Sequence, residues 1–447
     1  MRLLLASLAA IAVLSGAASA QTPPVTALDT AARRDAVQAA AKAMRSQYVF
    51  PDRGVAAADK IERELSGGAY DGLTEPSAFA AQLTADLRSE APDKHLFVQP
   101  PGGPPPGPPA NPIPIEGGVI RSDRLPGDVG YIEFVSFTPV KLSKLSVDRA
   151  MATLSQSRAI IIDLRRNEGG TVDGAVYIVS HFVDPVRKVH VADLLLRNAG
   201  ASDYSVEEFW SSPTPTSLAG KPVFVLVGPR TFSAGEFAAY ELQALSLARV
   251  IGETTLGGAH GAKGLPLGSG IFLSLPGKRL VSEATKTNWE GKGVSPDIAI
   301  PAADALAAAL RELGQAPASG DIDRLSLAQL FQPRTTPLPG AETALRRMYE
   351  AYLHEKVDYS VVSDTFAALV RERGAKFWAQ MPAIRKQLED LGPLQSIAFN
   401  GVDPEGSDTF ITSHSNGRRL WQVFLDIDGK VDSIFMQVLP PPSGAQP

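Results

Sequence analysis

Cysteine is absent from the 447-residue chain. That excludes disulfide staples, thiolate metal sites, a lipid-bearing thiol and a cysteine nucleophile. Histidine is scarce, with six in all, and no two fall at the His-x-x-x-His spacing that puts two ligands on one helix face. Neither a metal nor a cofactor is therefore expected. No sign of charge dominates: 43 basic against 48 acidic residues, a formal charge of −5, offer no basic field to a nucleic-acid backbone or an anionic membrane. Nucleic acid is not an expected partner. Long hydrophobic runs are missing too. The apolar stretch in residues 1–20, "MRLLLASLAAIAVLSGAASA", is shorter than the roughly 20 residues needed to span a bilayer. Arg2 before it and Ala18-Ser19-Ala20 after it spell a cleavable export signal, with no membrane span left after cleavage. A cysteine-free exported chain suits a periplasmic or secreted bacterial protein.

Removal of the signal leaves about 427 residues, too many for one core, so several domains are expected. From about Val25 to Ala91 the pattern predicts three helices, a small N-terminal helical domain over 21–99. In the third, Thr74 is the expected cap, Pro76 sits in the first turn, and Phe79, Leu83 and Leu87 share a face. A Pro/Gly-rich linker over 100–116 can hold neither helix nor ladder. Over 117–314 short apolar strand patterns such as "RAIIIDLR" and "PVFVLVG" alternate with helix patterns such as "GEFAAYELQAL", which predicts an α/β core ending in a helix stopped by Gly314. A second linker over 315–341 leads to an α+β domain over 342–440, with helices to Leu391 and then four strands. Asn416-Gly417 and Asp428-Gly429 mark hairpin turns there. Helices followed by an antiparallel meander look like the cystatin/NTF2-like type.

Within the core, "PVFVLVGPRTFSAGEFAAYELQAL" (222–245) runs from strand through a Gly-Pro turn into a helix, with Ser233 at the hinge. With Glu236 it spells the Ser-x-x-Glu capping box, so Ser233 can be a plain helix cap. The same place exposes a hydroxyl beside free backbone donors at the positive end of a helix, where a nucleophile and its oxyanion would be served. A nucleophile also needs a base, an orienting group and oxyanion donors. "RAIIIDLRRNEGGTVDGA" ends an apolar strand at Asp163 and follows it with the pair Gly169-Gly170. That pair either makes a tight turn or lets backbone N–H groups face a ligand.

Four strings taken together resemble the tail-specific or C-terminal-processing serine proteases, peptidase family S41: Asp163-Leu164-Arg165-x-Asn167-x-Gly169-Gly170, Thr231-x-Ser233-Ala234-Gly235-Glu236, Gly252-x-Thr254-Thr255-x-Gly257-Gly258 and Gly293-Val294-x-Pro296-Asp297. The resemblance implies a crotonase/Clp-protease-like core of ββα units. It also implies Ser233 as nucleophile and an oxyanion hole formed by the N–H groups of Gly170 and Ala234. The processing proteases carry a lysine base where this chain has Gly258. Lys263, five residues on, would carry its ammonium beyond the reach of proton transfer.

The strings "GGAH" and "NWEGKGVSPD" are more similar to the tricorn and interphotoreceptor retinoid-binding protein branch. That likeness implies His95 as base and Glu290 as its orienting carboxylate, with Lys94 where the tricorn type has a supporting serine. An imidazole suits the task near neutral pH, and a carboxylate would fix its tautomer. Each residue also has a plain structural reading: a hydrogen-bonded junction histidine, an exposed turn acid. His260 is a competing base. The expected function is an exported serine endopeptidase acting on peptide or unfolded protein. About 34 residues between His95 and Gly130 leave no room for a carboxylate-capturing PDZ module. The other function in view is a non-catalytic protein that binds apolar small ligands in the same cleft.

Overall fold

The computed structural model describes residues 27–101, 118–315 and 335–439, except 364–365, 368–369, 372–373, 403–406 and 426–428. The export signal (1–20) and most of both expected linkers lie outside the described residues.

At the centre is a six-stranded sheet in the order β11-β8-β7-β4-β3-β2. Its strands are β2 (Val119–Leu125), β3 (Val129–Phe134), β4 (Ala159–Asp163), β7 (Val223–Val227), β8 (Arg249–Gly252) and β11 (Ile298–Ala299). β2 and β3 form an antiparallel hairpin, and from β3 to β11 every pairing is parallel. A parallel sheet must be covered on both faces, which is why β4 "AIIID" and β7 "VFVLV" are buried at every position. The two-residue period divides them. Ile160, Ile162, Val223, Val225 and Val227 join one core with helices α4 (Val140–Thr153), α5 (Val172–Ser180) and α6 (Ala234–Ala244). Ile161, Phe224 and Leu226 join another with α7 (Ala305–Glu312), which Gly314 at φ 70° terminates.

The N-terminal segment forms α1 (Thr30–Gln47), α2 (Pro51–Ser66) and α3 (Pro76–Glu90). Phe79, Leu83 and Leu87 are fully buried along one face of α3, as their spacing predicts. Its cap is Glu75 rather than Thr74. The Glu75 carboxylate accepts from the N–H groups of Ser77 and Ala78, and Pro76 occupies the first helical position. A carboxylate directly before the proline reaches the orphan donors that Thr74, one residue earlier, does not cap.

These helices do not close a core by themselves. They share one apolar cluster with Leu267, Ile271, Leu273 and Leu275. Those residues come from β9 (His260–Gly268) and β10 (Ile271–Ser282) of a second sheet, ordered β1-β10-β5-β6 with β9 also on β10. β1 (Phe97–Gln99) follows α3 and pairs with β10, while β5 (His190–Arg197) and β6 (Tyr204–Trp210) extend the other side.

The C-terminal part has helices Ala341–Leu353 and Met381–Asp390 and an antiparallel sheet of four strands in sequential order: β12 (Leu394–Val402), β13 (Asp408–His414), β14 (Gly417–Leu425) and β15 (Val431–Leu439). They pack around Trp421, Phe410 and Met348. Phe424 of this sheet touches Ile120 of the central sheet.

The shared cluster makes a test possible. Leu273→Ala should cost about 2–5 kcal/mol of unfolding free energy by urea titration. Amide exchange should accelerate together in α1–α3 and in β9–β10, because one core holds both.

Candidate active site

Asp163, Arg165 and Asn167 set the floor of the site. At the end of β4 the Asp163 carboxylate accepts from Arg165 Nε (2.9 Å) and Nη2 (2.5 Å) and from the Tyr131 hydroxyl (2.7 Å). All three are buried. Arg165 Nη1 donates to the carbonyl of Ala302. The guanidinium beside Asp163 holds its carboxyl below the ordinary range, against the opposing pull of burial. This pair pins the turn after β4. Asn167 then accepts from Gly169 N at 2.9 Å, and its backbone oxygen accepts from Phe232 N at 2.9 Å. The chain after β4 is thereby bound to the chain after β7.

Ser233 stands where β7 gives way to α6, with φ 55° and ψ −118°. A positive φ at a residue with a side chain is strained and persists only when its surroundings over-determine it. Here they do. Its N–H donates to the Glu236 carboxylate at 2.9 Å. The same buried carboxylate accepts from Thr255 Oγ1 (2.5 Å), Gly257 N (2.5 Å) and Gly258 N (2.8 Å). Burial pushes the Glu236 carboxyl up, and these four donors pull it back. Glu236 makes its half of the capping box read from the sequence, and it also joins the serine turn to the glycine loop at 252–258.

Gly169 lies directly against the serine: a Cβ built there would be 2.8 Å from Ser233 Cβ and 3.3 Å from its Oγ. Gly170 has φ 134°, and a Cβ there would meet the Phe137 carbonyl oxygen at 2.0 Å, so only glycine fits. Phe137 N donates to Gly169 O and Thr171 N donates to Phe137 O, which skips Gly170. Among the described residues neither Gly170 N–H nor Ala234 N–H has a hydrogen-bond partner.

His95 arrives from the N-terminal segment. Its ring stacks on Phe232, the neighbour of Ser233, at 4.4 Å between centroids and 24°. Its Cε1 would lie 2.7 Å from a Cβ at Gly258, and the Phe232 ring 2.3 Å from it. The imidazole and the phenyl ring thus fill the space into which a side chain at 258 would grow. Burial holds the imidazole pKa down to about 4, with Asp93 opposing and His260 and Arg88 adding to the fall. Its Nδ1 is buried with no hydrogen-bond partner.

Glu290, the expected partner of His95, faces His260 instead. Its Oε2 lies 3.5 Å from His260 Nδ1 and accepts from Ala259 N at 2.6 Å. Burial raises the Glu290 carboxyl to about 7, His260 opposing and Asp93 adding. The acid beside His95 is Asp93. One oxygen accepts from the His95 backbone N–H at 2.9 Å and the other from His260 Nδ1 at 2.6 Å. No sequence signal pointed to Asp93, because the contact that defines it comes from a histidine more than 160 residues away.

Lys263 is exposed and pairs across β9 and β10 with Leu275. The Lys94 ammonium donates to the Leu256 carbonyl. Asp93, His260 and Glu290 bring three potential ligand atoms within 4.8 Å of one another. The 2.6 Å contact is shorter than the roughly 3.3 Å between donors each about 2 Å from a tetrahedral zinc. As it stands, one hydrogen bond joins Asp93 to His260 Nδ1, and Glu290 Oε2 lies 3.5 Å from the same nitrogen.

Residues 128–300 match Peptidase family S41, and residues 25–112 match the N-terminal domain of peptidase S41 in eukaryotic IRBP, together more than half of the chain. The chain belongs to peptidase family S41. It is 26% identical over 186 residues to the carboxy-terminal-processing protease of Bartonella bacilliformis, covering 40% of this chain and 40% of that protein. It is 26% identical over 199 residues to the carboxy-terminal processing protease CtpB of Bacillus subtilis, covering 44% and 39%. The chain spans about two fifths of the length of the curated relatives it matches. Among solved structures, the tricorn protease aligns at 13% identity with a TM-score of 0.39, over 64% of this chain and 36% of that one.

Gly258→Ala tests the packing of His95 in the S41 chain. The added methyl must displace the imidazole or the Phe232 ring, so the protein should stay folded by circular dichroism yet lose reactivity of Ser233 toward a fluorophosphonate by about tenfold or more.

Proposed function

We propose that this protein is an exported serine endopeptidase that hydrolyses peptide bonds through an acyl-enzyme at Ser233, with His95 as general base. The observation that carries the reading is the occupant of the space beside Gly258. Where the processing proteases carry a lysine, a buried and unprotonated imidazole stands next to the serine turn.

In this mechanism Ser233 Oγ attacks the scissile carbonyl while His95 takes its proton. The oxyanion is received by the N–H groups of Gly170 and Ala234, donors left free in the fold and aimed at no carbonyl. The imidazolium returns its proton to the leaving amine, and water repeats the sequence on the ester. Asp93 anchors the backbone of His95. Glu290 acts at one remove, holding Ala259 and so the glycine that backs the imidazole.

The finer architecture belongs to the same proposal: a crotonase/Clp-protease-like core over 117–314, an N-terminal helical domain over 21–99 and a cystatin/NTF2-like domain over 342–440. The substrate would be peptide or unfolded protein, held by extended strand pairing. Periplasmic or secreted location rests on residues 1–20. Among the described residues no helix is long and apolar enough to cross a membrane.

Incubation with a fluorophosphonate should label Ser233 and no other residue, and Ser233→Ala should abolish labelling and turnover while costing at most about 2 kcal/mol of stability. His95→Ala should lower turnover by orders of magnitude, whereas Lys263→Ala should leave it nearly intact. His95 Nδ1 is buried without a hydrogen-bond partner, which favours a second reading, a binding protein for apolar small ligands. Failure to label over hours at pH 8 would decide for that reading.

The acid limb of the labelling rate should fall near pH 4 rather than near the ordinary imidazole value, because burial keeps His95 neutral in the folded state. The unfolded chain takes up that proton near 6.5. The stability contributed by this group is therefore complete above pH 6.5 and declines as pH falls toward 4. Labelling rates and urea midpoints measured from pH 4 to 8 check both.

A further inference from the structure

A cleft of about 620 Å³ lies between the start of α2 and strand β10. Tyr48, Phe50 and Tyr204 line it with aromatic surface. Two guanidinium groups lie near the Phe50 ring, Arg53 at 5.8 Å and Arg279 at 5.4 Å from its centroid, and Arg279 is also 5.5 Å from the Tyr204 ring. Neither arginine forms an ion pair with a carboxylate among the described residues, and Arg279 Nε is buried with no hydrogen-bond partner.

A desolvated guanidinium N–H without an acceptor is costly, and ring contacts alone do not satisfy it. The other charges do not meet the need. Of the lining carboxylates, Asp52 is exposed and Glu290 accepts from Ala259 N, and neither forms an ion pair with Arg279 among the described residues. His260 and Glu290 form the inner wall of the cleft. Through Asp93 that wall connects to His95.

We infer that this cleft is a carboxylate subsite for the peptide, with Arg53 and Arg279 receiving an acidic side chain or a terminal carboxylate and the aromatic residues receiving the apolar group beside it. Two guanidiniums offer the forked donors that a carboxylate accepts bidentately. The inference rests on the peptidase reading for its peptide occupant.

The test uses the full chain carrying Ser233→Ala and three labelled peptides of one sequence: a central Glu with an amidated C-terminus, Gln at that position with the amide, and Gln with a free C-terminal acid. Fluorescence anisotropy should show one carboxylate peptide binding about tenfold more tightly than the neutral one, with an advantage that shrinks as salt rises. A preference for the Glu peptide assigns the side chain, and a preference for the free acid assigns the terminus.

Arg53→Gln, at an exposed position, and Arg279→Lys, which keeps the stem that packs on the rings, should each erase the advantage and spare the neutral peptide. Equal binding of all three peptides overturns the subsite. So does a preference that survives both substitutions, or a fatty acid that binds while no peptide is favoured. Fluorophosphonate labelling of the unsubstituted chain reads the peptidase step separately. Labelling without peptide selectivity removes the subsite alone, and selectivity without labelling removes the hydrolase and keeps the subsite.

Discussion

The carboxylate of Glu236 is the constraint on which the centre of this protein depends. Four donors converge on it, from the strained Ser233, from Thr255 and from Gly257 and Gly258. Left without it, each buried donor would carry a penalty of about 1–3 kcal/mol, so together they outweigh the cost of burying one acid. A backbone at φ 55° therefore stays where it is, and a glycine loop that has little local structure acquires a fixed position relative to the first turn of α6. The arrangement is short in sequence terms and rigid in space.

A second fixed group supports it from below. Asp163 and Arg165, both buried, trade several charge-assisted hydrogen bonds and bring in Tyr131 and the Ala302 carbonyl. Buried ion pairs contribute little net stability against an apolar replacement, yet breaking one partner leaves a stranded charge. Their value here is geometric. They define how the chain leaves β4, and with Asn167 they set Gly169 against Ser233.

The sequence disclosed local order well and remote order poorly. The continuous apolar runs "AIIID" and "VFVLV", the face formed by Phe79, Leu83 and Leu87, and the strand-turn-helix at Ser233 all follow from residue patterning and turn chemistry, which are properties of neighbouring residues. The cap of α3 was displaced by one residue because Glu75 competes with Thr74 for the same donors. Strands β5 and β6 gave little signal: β6 carries exposed polar residues through "YSVEEFW", so burial does not stamp a pattern on it. Asp93 was silent for a different reason. Its importance lies in His260, reached only through folding, and the placement of Glu290 beside His260 rather than His95 is a tertiary fact of the same kind.

The N-terminal helices share their apolar cluster with β9 and β10, and that sharing means His95 is delivered rather than built in. It is about 138 residues from Ser233 along the chain, and closing so long a loop is an entropic cost met only when the cluster assembles. The central sheet can in principle order itself, with its serine turn and glycine loop, before the imidazole arrives on Phe232. A partly folded or nicked chain would then hold a serine without its neighbour. On the proposed chemistry such a chain would be inert, so the docking of one apolar surface would double as a safeguard while the chain folds.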